Sequence, residues 1–338
     1  MFQLRPVRII PSVVALLCCC AVARAQTTRP ADEVNLLAVA DWGMNNANQK
    51  LVAAAIANHA RNAGRTFSGA LCGGDNLYVQ PKSVDDPLWL QVFERMYDPA
   101  AIDFPFYISP GNHDYEAGKL AMELEYSRRN PTSRWKFPAT FYRIDLPAGA
   151  QRPLVSVLML DSNKDRMGEH VWQAQLSWLE RELASPRDGT WMIAVAHHPL
   201  FSNGDHGDNG VLQTSWGNLF KRYGLDLFIA GHDHDLQHLE MADWKTSFIL
   251  VGGGGATTRQ MRVDRRGPFS RASYGFADLQ FSPDKFTVTF VDAQNQSLHS
   301  FERNKSGGVR IVQESASDSA VPRTPRSVNR PDLPATKP

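Results

Sequence analysis

The chain has 338 residues, 43% of them hydrophobic, and a formal net charge of +1. That length and apolar content suit one large globular domain or two ordinary ones with a sizeable core. A charge so close to zero lacks the basic footprint of a nucleic-acid binder, and no nucleic-acid partner is expected.

Residues 1–25 read as an export signal. Arg5 and Arg8 form a basic start, 9–22 is an apolar run broken by Pro11, and Ala23-Arg24-Ala25 supplies small residues before a cut ahead of Gln26. The run is too short for a membrane-spanning helix, and its proline argues the same way. The expected mature protein is therefore secreted or periplasmic, with no stable membrane span. Removing the segment takes away three arginines and no acid, so the charge falls from +1 to −2. It also removes Cys18, Cys19 and Cys20, leaving Cys72 as the one cysteine of the mature chain, which excludes an internal disulfide. Cys72 is expected to be a small core residue.

After a short linker at 26–33, the apolar run Leu36-Leu37-Ala38-Val39-Ala40 predicts a buried strand ending at Asp41-Trp42-Gly43. The spacing predicts a helix over 48–62, with Leu51, Val52, Ala55, Ile56 and Ala60 apolar and Gly64 as its stop. A strand over 67–72 ends at Gly73-Gly74-Asp75, and strand–helix–strand order suggests a parallel pair. Residues 88–98 predict a helix with Trp89, Leu90, Phe93 and Met96 inward. A strand at 104–109 leads to Pro110-Gly111-Asn112-His113-Asp114, followed by a helix over 117–129. Strands follow at 141–146 and 154–160. An amphipathic helix over 170–184 places Trp172, Leu176, Leu179 and Leu183 on one face. A strand at 191–196 ends at His197-His198-Pro199, a helix covers 211–223, and a strand at 225–230 ends at Gly231-His232-Asp233-His234. Beyond 235, short strands at 248–251, 274–281, 286–291 and 298–301 suggest an antiparallel sheet that completes the domain. From 304 to the end, Ser, Pro and Arg dominate, and the expectation is a disordered tail.

Asp41, Asp75, Tyr78, Asn112, His198, His232 and His234 each follow the C-terminal end of a predicted strand, the edge where sites gather in open α/β sheets. Hard trivalent cations favour carboxylate and phenolate oxygen, and divalent transition metals accept imidazole and amide oxygen. The candidates divide accordingly, with Asp41, Tyr78 and His234 for one ion, Asn112, His198 and His232 for the other, and Asp75 for both. Two cations at that spacing suit hydrolysis of a phosphate ester. His113 and His206 are the candidate proton donors to the leaving alkoxide. His59, His170, His197, His238 and His299 are expected to be surface or packing residues.

Asp41-Trp42-Gly43, Gly74-Asp75-Asn76-Leu77-Tyr78, Gly111-Asn112-His113-Asp114, Val195-Ala196-His197-His198 and Gly231-His232-Asp233-His234 together resemble the five motifs of the purple acid phosphatases. They look most like the small, mammalian-type, tartrate-resistant branch. The likeness extends to Ser133-Arg134-Trp135-Lys136-Phe137-Pro138 and Leu176-Ser177-Trp178-Leu179, and covers about 34–303 as one catalytic domain. It implies an α/β fold, a four-layer αββα sandwich of the calcineurin-like metallophosphoesterase type with mixed sheets flanked by helices. It implies Fe(III) paired with Fe(II), Zn(II) or Mn(II) through a bridging hydroxide or water. Asp41, Asp75, Tyr78 and His234 would hold the ferric ion, and Asp75, Asn112, His198 and His232 the divalent one. His113 matches a histidine just outside the ligands, and His206 one that contacts substrate. The implied activity is hydrolysis of phosphate monoesters, small molecules or phosphoproteins, at acidic pH by a metal-bound hydroxide, and the protein is expected to be a monomer. The stretches 79–87 and 256–272 depart from the mammalian pattern. Two other readings stand beside this one: a Mn/Zn phosphodiesterase on the same scaffold, and a non-catalytic phospholigand-binding protein.

Overall fold

The computed structural model describes residues 33–187, 190–262 and 265–314; the export signal and the far end of the tail lie outside them. In chain order the elements are β1 (Val34–Val39), α1 (Ala47–Asn62), β2 (Gly69–Cys72), β3 (Phe106–Ile108), α2 (Lys119–Arg129), β4 (Trp135–Lys136), β5 (Tyr142–Leu146) and β6 (Val155–Met159). The short α3 (Lys164–Met167), α4 (Glu169–Ala184), β7 (Trp191–Val195), α5 (Gly210–Tyr223) and β8 (Leu227–Ala230) follow. The chain continues through β9 (Leu236–Glu240), β10 (Ser247–Val251), β11 (Phe269–Arg271), β12 (Gly275–Phe281), β13 (Lys285–Asp292), β14 (Ser297–Asn304) and β15 (Val309–Glu314).

The strands form two mixed sheets. One runs β15-β14-β13-β12-β1-β2-β3-β4, the other β11-β9-β10-β8-β7-β6-β5. Alternation along single strands explains the layering, because successive side chains point to opposite faces. Leu36 and Ala38 of β1 pack between the sheets, while Leu37 and Val39 face α1. Ile193 and Val195 of β7 likewise enter the central layer, and Met192 and Ala194 pack under α4 and α5. Strands buried on both faces read as unbroken apolar runs. The result is helix, sheet, sheet, helix: the four-layer α/β sandwich.

Helix α1 starts where Asn46 accepts a hydrogen bond from the Gln49 N–H at 2.8 Å, an N-cap that satisfies an otherwise orphaned donor. Val52, Ala55 and Ile56 are buried as their spacing implies, but Leu51 is 50% exposed. Helix α4 buries Trp172, Leu179 and Leu183. Cys72 is fully buried, and burial pushes its thiol pKa up.

Four expectations are corrected. The helix expected over 88–98 starts at 88 and turns Trp89 and Phe93 inward, but it runs as a π-helical segment at Leu90–Glu94, ends there and leaves Leu90 39% exposed. A 3-10 segment, His113–Gly118, precedes α2 and kinks at Glu116 and Ala117. The strands beyond 235 do not make one antiparallel sheet. β9, β10 and β11 join the sheet of β8, where β10 pairs with β8 in parallel, and β12–β15 extend the sheet of β1. Finally, the disordered stretch does not begin at 304, because β15 pairs with β14 from Arg303↔Val309 to His299↔Glu314. Few aliphatics occur there because an edge strand with one covered face needs few; Val309 and Ile311 meet the central core and Val312 faces out.

That alternation is testable. Ile311→Ala should cost about 1 kcal/mol, a fall in Tm of about 2 °C for a domain of this size, while Val312→Ala leaves Tm unchanged. Equal melting curves for both variants and the parent would show that β15 contributes no packing.

Candidate metal centre

The C-terminal ends of β1, β2 and β3 in one sheet and of β7 and β8 in the other meet at one edge of the sandwich. Backbone hydrogen bonds join the turns there. The Asp41 and Trp42 N–H groups donate to the carbonyls of Gly74 and Asp75, and the Gly231 N–H to that of His197. Close approach demands missing side chains: a Cβ on Gly111 would lie 2.2 Å from the Asp75 nitrogen, and one on Gly231 2.5 Å from the Asp41 Oδ2. Asp41, Asp75 and His232 all take left-handed backbone conformations (φ 59, 50 and 71°). Such conformations are costly for residues with a Cβ and concentrate at functional sites.

Six of the seven candidate ligands converge through direct contacts. Tyr78 Oη lies 2.9 Å from Asp75 Oδ2 and 3.3 Å from both Asp41 Oδ1 and His234 Nε2. His234 Nδ1–H donates to the Thr257 carbonyl at 2.7 Å, which leaves the Nε2 lone pair facing Asp41 Oδ1 at 3.6 Å. His232 donates its backbone N–H to Asp41 Oδ2 and turns Nδ1 inward. Asn112 Oδ1 completes the second half of the cluster.

The inward turn of His232 and Asn112 is toward His197, the residue set aside in the sequence as packing. His197 is fully buried. Its Nδ1–H is held by the Gly73 carbonyl at 3.0 Å, and its Nε2 lies 2.9 Å from Asn112 Oδ1, 3.1 Å from His232 Nδ1 and 3.4 Å from Asp75 Oδ1. His198 also brings a nitrogen near His197 and His232. Its Nδ1, however, is tied to the Ser162 hydroxyl at 2.8 Å, and that hydroxyl accepts the His198 backbone N–H. His197 therefore enters the middle of the cluster, while His198, tied to Ser162, stands at its edge beside His232. The doublet His197-His198 gave no means of choosing; the carbonyl lock on Nδ1 does.

The electrostatics show why these groups fit cations. Burial pushes the Asp41 carboxyl pKa well up, and the Asp75 charge adds to it. Burial also opposes the charge on Asp75, but His197 and the N–H and ring of His113 outweigh it and hold its pKa down. Burial, then the Asp41 and Asp75 charges, drive the Tyr78 phenol far above its ordinary value. Burial lowers the pKa of His197, where the Asp75 charge works against it, and also that of His232 and of His234, the last to about 4. With Nδ1–H engaged by a carbonyl, the neutral forms of His197 and His234 offer Nε2 as an acceptor, whereas His232 turns Nδ1 inward. Acceptors facing carboxylate and amide oxygens at about 3 Å repel one another unless a cation lies among them. The groups Asp41, Asp75, His197 and His197, His198, His232 have the spacing to hold metal.

Supporting residues surround the cluster. Asp114 accepts from the N–H groups of Asn76, Leu77 and Gly111 and from the Asn76 amide. Burial and then the Asp75 charge push its pKa to about 7. His113 donates its backbone N–H to Asp75 at 2.9 Å and packs its ring on Tyr78. His206 Nδ1 meets Asp233 Oδ1 at 2.8 Å, and its ring lies 3.9 Å from that of His232, centre to centre. Arg259 Nη1 lies 2.8 and 3.0 Å from the ring nitrogens of His206 and 3.3 Å from the His232 carbonyl. Nothing in the sequence marked Arg259, which sits in the divergent stretch 256–272.

Residues 34–236 match the calcineurin-like phosphoesterase family. The chain belongs to that family. Among its relatives, tartrate-resistant acid phosphatase type 5 of Mus musculus is 28% identical, across 80% of this chain and 90% of that protein. Purple acid phosphatase 4 of Arabidopsis thaliana is 27% identical, across 82% and 85%. Two solved structures share the fold. The Plasmodium protein GAP50, described as an anchor in the inner membrane complex, superposes with a TM-score of 0.69 at 21% identity, covering 83% of this chain and 90% of that one. The purple acid phosphatase PPD1 of Lupinus luteus gives 0.62 at 16%, covering 88% and 57%. The family resemblance seen in the five motifs therefore holds for the domain as a whole.

Asp114→Ala should destabilise the protein by at least about 3 kcal/mol in urea unfolding, because several buried N–H groups lose their acceptor at once. Unchanged stability would remove Asp114 as the clamp of this loop.

Proposed function

We propose that this phosphoesterase is an exported, binuclear acid phosphatase of the purple type, acting on phosphate monoesters. The observation that carries the proposal is the convergence of two buried carboxylates, a phenol, an amide oxygen and neutral imidazoles on one small volume. The relatives named acid phosphatases support the reading, and the basic, apolar, small-residue pattern of 1–25 supports export. Among the described residues no helix is long and apolar enough to cross a membrane.

In this reading Asp41, Tyr78 and His234 would hold one ion, Asn112, His197 and His232 the other, with Asp75 placed to serve both. His197 thus replaces His198 in the set that the motif resemblance implied. The oxygen-rich half suits Fe(III) and the nitrogen-rich half Fe(II), Zn(II) or Mn(II). Two bound cations would neutralise phosphoryl oxygens and acidify an attacking water. The chain's own groups do the rest. Gly73 and Thr257 carbonyls fix the tautomers of His197 and His234. Asp233 orients His206 so that its ring faces the mouth of the site, where it can donate to the leaving oxygen. His113, held over Tyr78 and beside Asp75, lies on the opposite flank, ready to bind a phosphoryl oxygen. His198, its Nδ1 tied to the Ser162 hydroxyl, stands beside His232 outside this set.

The deciding experiment joins elemental analysis, an absorption spectrum and hydrolysis of para-nitrophenyl phosphate against its bis-ester. Two metals, a visible charge-transfer band and preference for the monoester are expected; preference for the bis-ester from a colourless protein would favour the phosphodiesterase reading.

His197→Ala should lose at least one metal equivalent, whereas His198→Ala keeps both; the reverse pattern restores His198 as the ligand. Tyr78→Phe should abolish the visible band while the protein keeps its metals. His206→Ala should lower kcat about 100-fold at full metal content, and normal turnover would exclude His206 from proton donation.

A further inference from the structure

The divergent stretch 256–272 straps the metal-bearing turns. The Ala256 N–H donates to the Asp41 carbonyl at 2.9 Å, and the Arg262 N–H to the Asn203 carbonyl at 2.9 Å. Arg266 pairs with Asp208 and also donates to the Ser202 carbonyl. These contacts carry Arg259 to the rim of the site, where its guanidinium touches the half-exposed ring of His206 and the His232 carbonyl. Among the described residues those partners are imidazole nitrogens and a carbonyl, with no carboxylate among them. Arg266 has its countercharge in Asp208 on the surface; Arg259 holds its charge toward the cluster, where it acts on Asp41, His232 and His234 and on the buried Asp235.

Resting on the phosphatase reading, we propose that Arg259 binds a second anionic group of the substrate, so that the preferred substrates are monoesters bearing a carboxylate or another phosphate beside the scissile bond. The metal cluster meets the scissile phosphoryl group deeper in the site. Arg259 lies farther out, past His206, where the remainder of a bound ester emerges. A guanidinium presents a planar fork that matches carboxylate and phosphate oxygens bidentately, and displacing it from an imidazole ring and a backbone carbonyl costs less than breaking an ion pair.

The test uses full-length, metal-loaded protein with paired probes. kcat/KM is measured for phenyl phosphate and 2-carboxyphenyl phosphate in the parent, Arg259→Gln and Arg259→Lys. The Gln variant should lose about tenfold more on the carboxylated ester than on the plain one, through KM, with the Lys variant in between. Equal losses on both esters would overturn the proposal, since an arginine that merely held the loop would affect both alike. Calorimetric binding of the non-hydrolysable phenylphosphonate and 2-carboxyphenylphosphonate gives a second reading without turnover. The parent should bind the carboxylated compound about tenfold tighter and the Gln variant should lose that preference; a parent with no preference overturns the proposal. If neither ester is hydrolysed, the phosphatase reading fails, and the binding comparison alone decides the role of Arg259.

Discussion

The structure depends on placing electron-pair donors together where water does not reach. Asp41 and Asp75 are almost wholly buried, and the groups in direct contact with them are a phenol, imidazole rings and backbone N–H groups, with no lysine or arginine paired to either among the described residues. Burying an uncompensated charge costs several kcal/mol even after relaxation. A fold that does so twice in one place is stable because a counter-cation belongs there, and metal binding is then coupled to folding. Cys72 is the one cysteine among the described residues, so no disulfide among them can share that role.

The sandwich meets this requirement by topology. Parallel strands of both sheets end at one edge, so each turn contributes one or two donors while the strands behind remain fully apolar. Asp41, Asp75 and His232 are held in left-handed conformations by hydrogen bonds from the turns themselves. Gly111 and Gly231 let neighbouring backbones approach within distances that any side chain would block. Local backbone cost is thus accepted at the ligands and offset by the three apolar layers around them, a distribution common at functional sites.

Much of this was legible in the chain. Buried strands announced themselves as apolar runs, and donors recurred just past their ends, so the parallel core and the approximate site followed from periodicity. What escaped had physical reasons. β9, the sequence Leu236-Gln237-His238-Leu239-Glu240, is too polar to read as buried, because Gln237 and His238 satisfy their hydrogen bonds inside the fold. β15 hides in a polar stretch as an edge strand. The helix expected at 88–98 is shortened because its rings pack into an aromatic cluster around Trp42 and Trp135, where side-chain shape overrides helical spacing. The choice between His197 and His198 turns on which Nδ1 finds a backbone carbonyl, a contact with a residue 124 positions away.

The same dependence on distant contacts governs the divergent loop. Thr257 supplies the carbonyl that fixes the tautomer of His234, Ala256 hydrogen-bonds the Asp41 backbone, and Arg259 stands two residues farther on at the rim. One short segment therefore secures His234 with its backbone and sets the Arg259 side chain against His206. Backbone atoms are common to all residues, so the side chain at 259 can vary without disturbing the carbonyl at 257. This separation would let a phosphoesterase scaffold change which esters it prefers while the backbone contact to His234 stays intact.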